Sequence, residues 1–84
     1  MPTWPAWWDW ELELGSHLFK RMADRGFNEV ELRRMLSIAA HFRKDVVPGR
    51  WVIATRHERK AWEVIVEPDS AAQVLVVVTA YPIS

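Results

Sequence analysis

The chain has 84 residues, half of them hydrophobic, with eleven basic side chains balanced by eleven acidic ones and no cysteine. That length holds one domain near the lower limit for unaided folding, and without a disulfide or a thiolate metal site a packed apolar core must supply the stability. The composition excludes a disordered polymer; no run reaches the roughly 18–20 apolar residues that span a bilayer, and no secretory signal is apparent, so a cytoplasmic protein without a membrane partner is expected.

The charge sums to zero but is unevenly placed. All eleven Lys and Arg lie between Lys20 and Lys60 among only five acids, while residues 1–19 and 61–84 carry three acids each and no base. A basic middle can meet phosphates, and solvated helix faces and turns produce the same pattern.

In chain order, MPTWPAWWDW holds four of the six tryptophans and two of the five prolines. Pro2 and Pro5 disfavour regular structure, so residues 1–9 read as a Trp/Pro-rich leader before a single domain over 10–84. Trp4, Trp7, Trp8 and Trp10 are denser than a core requires. They could stack bases, dock a partner or close a sheet face that two short helices leave open; the last is favoured because exposed Trp clusters are uncommon on monomers.

WELEL alternates apolar and acidic residues, the period of a half-buried strand, and Gly15 ends it. Ser16 as N-cap and Gly26 just past the end bracket a helix over 17–25. Its spacing turns Leu18, Phe19, Met22 and Ala23 to the core and His17, Arg21, Asp24 and Arg25 to the accessible flank. Asn28 and Glu31 form a capping box for a second helix ending near Ala40, with Phe27 and Leu32 as a staple and Glu29–Arg33 as an exposed pair.

Beyond it the chain is β in character. A weak strand over 41–46 precedes the VPG turn, and RWVIATRH, AWEVIVE and QVLVVVTAY then read as an antiparallel meander. Trp51 and Trp62 fall on apolar faces. A tight loop would set Arg56 opposite Glu63, and the two-sided apolar run at 74–78 predicts a central strand covered on both faces. The expected fold is α+β, a single small βααβββ(β) domain, its two N-terminal helices packed on one face of an antiparallel sheet.

His17, His41 and His57 lack metal-ligand spacing, and there is no Walker A motif, dinucleotide fingerprint or G-x-S-x-G nucleophile, so neither a metal nor a cofactor is expected. What remains is the stripe His17, Arg21 and Arg25, with Arg50, His57 and the TAY segment (Thr79, Ala80, Tyr81). These types suit metal-free chemistry on a phosphodiester. Imidazole moves a proton near neutral pH, arginine binds phosphate oxygens bidentately, and hydroxyls orient the scissile group.

The strings ELELGSHLFKRMADRGFNEVELRRML, GRWVIATRH, WEVIVEPD and VVVTAYP closely resemble a group of small bacterial proteins, the "domain of unknown function 4258" family. Its H-x-x-x-R-M-x-x-R-G helix, second helix, G-R strand and terminal T-x-Y strand match from Trp10 to Pro82. The resemblance implies a fold similar to the RelE-like and colicin-type ribonuclease toxins, which act on RNA without metal.

Carried onto this chain, the resemblance implies catalytic roles for His17, Arg21, Arg50 (after Gly49), Thr79 and Tyr81, with Arg25 secondary. His57 joins Arg25 as a candidate RNA contact. RNA is the implied partner, together with an antitoxin-like protein or a second copy. The zero net charge and the Trp-rich leader depart from a strongly basic toxin. A rival reading is a non-catalytic protein-interaction module that uses the leader or a sheet edge; a third is RNA binding without cleavage.

Overall fold

A computed structural model describes residues 3–83. Pro2, to which one expectation above refers, lies outside the described residues. After a 3-10 turn (Ala6–Asp9), the elements are β1 (Glu11–Leu14), α1 (Leu18–Arg25), α2 (Glu29–Ser37), β2 (His41–Lys44), β3 (Trp51–His57), β4 (Lys60–Asp69) and β5 (Val74–Pro82).

The five strands form one sheet in the order β1-β5-β4-β3-β2. Strands β2 to β5 are an antiparallel meander, but β1 runs parallel to β5. The sheet is therefore mixed, which corrects the expected antiparallel βααβββ(β) layout. The cause is the connection between β1 and β2. Two helices carry the chain to the far edge and deliver β2 pointing opposite to β1; three hairpin reversals then bring β5 back beside β1 in the same direction. β4 is thus the central strand, and β5, expected there, is second from the edge with half-buried Val76 and Val78.

Both helices close on one face of the sheet. Leu18, Met22, Leu32, Met35 and Leu36 pack against Ile53, Trp62, Val64, Val66, Leu75, Val77 and Ala80 in a single core. In α1 the stripe is narrower than the periodicity predicts: Leu18 and Met22 are buried, but Ala23 is exposed and Phe19 is 59% exposed. The helix also starts one residue late. Its flanking residue is His17 in right-handed helical conformation, with no side-chain cap, rather than Ser16. Gly26 ends it in the left-handed region (φ 69°) with its N–H on the Met22 carbonyl, a conformation that needs no Cβ.

In α2 both bonds of the capping box are present, Glu31 N–H to Asn28 Oδ1 at 2.8 Å and Asn28 N–H to Glu31 Oε1 at 3.0 Å. The helix ends at Ser37, short of Ala40. One of its orphan C-terminal carbonyls, that of Met35, accepts a hydrogen bond from the buried Thr55 hydroxyl, which ties α2 to β3.

The two short helices leave the β2–β3 end of this face open, and the leader fills it. Trp4 stacks on Trp8 (4.2 Å between centroids), while Trp7 meets Trp51 (5.5 Å) and Phe42 (6.3 Å). All four leader tryptophans are half-buried against the core, so the packing favours the sheet-closing reading of the cluster.

Candidate functional site

The opposite face of the sheet carries no helix and is built in cross-strand rows. Directly paired residues point to the same side, so His41, Ala54, Glu63 and Tyr81 form one row, and Arg43, Val52, Ile65 and Thr79 the next. A bulge between Ile65 and Val66 leaves Val78 without a partner and sets Thr79 and Tyr81 on this open face while Ala80 stays in the core.

Glu63 is the hub of the first row. Its side chain is 14% exposed; Arg43 Nη2 donates to Oε2 at 2.8 Å and the Tyr81 hydroxyl donates to Oε1 at 2.9 Å. Burial by itself would raise the carboxyl, but the hydrogen bonds from Arg43 and Tyr81 and the charges of Arg43 and His41 hold it below its ordinary value of 4.5. Tyr81 moves the other way. Burial, then the hydrogen bond to Glu63 and that residue's charge, raise its hydroxyl above 10.0. Tyr81 is therefore held protonated, and Glu63 fixes both it and Arg43.

This corrects the expectation that Arg56 faces Glu63. The hairpin loop is indeed tight, with Glu58 and Arg59 both left-handed (φ 50° and 68°). Its register places Arg56 opposite Ala61 and Glu63 opposite Ala54. Arg56 instead donates to the Arg59 carbonyl at 2.9 Å.

The helix stripe meets the sheet at the edge of β5. Strand β1 covers β5 only as far as Val77, where the Gly15 N–H closes the ladder at 2.9 Å. Beyond it, Arg25 Nη1 caps the free Ala80 carbonyl at 2.9 Å and reaches Thr79 Oγ1 at 3.1 Å. Helix α1 is thus anchored near both ends: its eight residues span about 12 Å, against about 10 Å for β5 between Val77 and Ala80.

His17, Arg21 and Arg25, four residues apart, share the side of α1 along that edge. His17 and Arg21 are exposed; Arg21 has only a loose 3.8 Å pairing with Asp24, and His17 makes no side-chain bond among the described residues.

The remaining predicted residues lie elsewhere. Arg50 shares the open face but pairs with Glu67 (3.2 Å), four residues along β3 from the Tyr81 row, or about 13 Å. It lines a shallow hollow of about 350 Å³ with Lys44 and Asp45. His57 points to the helix side, 11% exposed and edge-on to Trp62 at 5.3 Å. Of the predicted residues, the structure joins Arg25 to Thr79 and sets Tyr81 on the same sheet face as Thr79. His17 and Arg21 share the α1 flank with Arg25 but make no hydrogen bond to either hydroxyl among the described residues, and Arg50 and His57 lie elsewhere.

The residue pattern offers Glu63 only as a cross-strand partner for Arg56 and gives Arg43 no role. The alternation of AWEVIVE already separates Glu63 from the core residues Trp62 and Val64, but its partner sits in the short β2 strand, whose register only the sheet defines.

Chemically, the open face and the α1 flank together offer the exposed imidazoles of His17 and His41, the guanidiniums of Arg21, Arg25 and Arg43, and two hydroxyls. From β5 to β2 the face spans about 14 Å, enough for more than one nucleotide. No helix among the described residues is long and apolar enough to cross a membrane. Comparison with protein-family models, with curated proteins and with solved structures gives no match to this chain.

Proposed function

We propose that the protein acts on RNA as a metal-independent endoribonuclease related to the RelE-like and colicin-type toxins. The observation that supports this most is the docking of α1 on the free edge of β5, where Arg25, on the same helix flank as His17 and Arg21, bonds Thr79 and the Ala80 carbonyl. His17 takes the proton of a ribose 2′-hydroxyl, and O2′ attacks the adjacent phosphorus. The bond from phosphorus to O5′ breaks, and the imidazolium returns a proton to that oxygen, leaving a 2′,3′-cyclic phosphate and a 5′-hydroxyl.

Arg21 binds the scissile phosphate and stabilises its developing charge; Arg50, farther along the face, meets a neighbouring phosphate. Thr79 and Tyr81 position the substrate, and Arg43 supports Tyr81 through Glu63. This reading places the protein in the cytoplasm and gives it an antitoxin-like partner. The rival docking role for the leader is weakened by the packing of its tryptophans against the core.

The test is cleavage of RNA in EDTA by the wild-type protein and by His17→Ala/Arg21→Ala, with folding checked by circular dichroism. Both side chains are exposed, so the fold should persist. A loss of at least about 100-fold in the variant is expected from removing an acid–base group. Equal cleavage by the two proteins, or none by either, sinks the proposal.

A further inference from the structure

On the helix side of the sheet, the β3–β4 hairpin tip comes against α2. Three donor atoms converge there from two segments, α2 and the hairpin tip: a carboxylate oxygen of Glu31, Nε2 of His57 and a carboxylate oxygen of the adjacent Glu58, all within 4.8 Å of one another. His57 Nε2 is buried and has no hydrogen-bond partner among the described residues. It lies 3.7 Å from Glu31 Oε2 and 3.8 Å from Glu58 Oε1.

Those separations are too long for hydrogen bonds of about 2.7–3.2 Å. They lie near the spacing of ligands around a tetrahedral zinc ion, about 3.3–3.5 Å for bonds of about 2.0–2.2 Å. The geometry points to a three-ligand site for a borderline transition-metal dication of the zinc class, held by His57 Nε2, Glu31 Oε2 and Glu58 Oε1.

Two ligands are preset. The capping box engages Glu31 through Oε1, which leaves Oε2 free. The Trp62 ring, edge-on at 5.3 Å, fixes the imidazole. Glu58, 75% exposed at the hairpin tip, is the ligand that moves to close the remaining distance. The two carboxylates neutralise the dication.

Arg34, Arg56 and Arg59 line the adjoining hollow and repel a cation held by field alone. Direct bonds to the imidazole lone pair must therefore hold it, which selects zinc over magnesium. The bound ion would staple α2 to the hairpin, and it lies across the sheet from the Tyr81 row, so this site stands apart from the proposed cleavage.

The test is titration of the EDTA-dialysed full chain with Zn²⁺ by calorimetry, with thermal unfolding as a second readout. One equivalent should bind, raise the melting temperature and resist competition by excess Mg²⁺. His57→Gln should weaken binding at least tenfold. Glu58→Gln, at an exposed position that cannot compromise folding, should weaken it measurably, whereas His17→Gln and His41→Gln should not. Absence of saturable one-to-one binding, or binding unchanged in both His57→Gln and Glu58→Gln, would overturn the site.

Discussion

Glu63 shows how one side chain is made by its neighbours. Its two oxygens receive Arg43 and Tyr81, which come from opposite flanks of the sheet. Between the folded pKa and 4.5 the unfolded chain binds more protons than the folded one, so stability rises with pH. The contribution is complete above 4.5 and is lost as pH falls through the folded value. For Tyr81 the folded chain keeps a proton that the unfolded chain releases above 10.0, so stability falls as pH rises beyond that point. Urea midpoints measured across pH should show both limbs. Glu63→Gln should flatten the acid limb and cost about 1–3 kcal/mol at neutral pH, since a charged hydrogen-bond acceptor is lost. Tyr81→Phe should remove the alkaline limb.

At the scale of elements, local signals were legible wherever a cap or turn stated them. Asn28 with Glu31 begins α2 and Gly26 ends α1, because both motifs satisfy backbone groups within a few residues. The start of α1 departs from the capping pattern because Ser16, a good cap by type, lies in the turn that carries the chain off β1. Gly15 is decided by that turn as well. A Cβ there would meet the Val77 carbonyl oxygen at 2.9 Å, so the residue is small because β1 and β5 close at that point. Gly15→Ala should therefore push the two strands apart and cost about 1–3 kcal/mol in urea unfolding, a prediction from overpacking against rigid backbone. An unchanged midpoint would show that the closure is looser than described.

For the whole molecule, the leader is part of the core. Trp7 touches Trp8, Phe42 and Trp51 and covers the sheet where the helices stop. Trp7→Ala should cost about 2 kcal/mol or more through the cavity it leaves, read from chemical denaturation. A docking role for the leader predicts no such loss. The same scale decides which predicted site residues meet. Arg25 finds Thr79 because β1 stops short of the end of β5. Arg50 and Tyr81 stay apart because they lie four residues along the strands from each other in register.

By itself the sequence determined the elements: two short helices, a meander, an accessible His17–Arg21–Arg25 flank, and a basic middle within an uncharged whole. These follow from periodicity, capping and turn chemistry, which act over a few residues. Only the tertiary structure decided that β1 pairs parallel with β5, that Glu63 joins Arg43 to Tyr81, that His57 turns inward toward Glu31, and that the tryptophans close the sheet. Each of those depends on register and on where a crossover lands, and neither leaves a mark in the local pattern of residues.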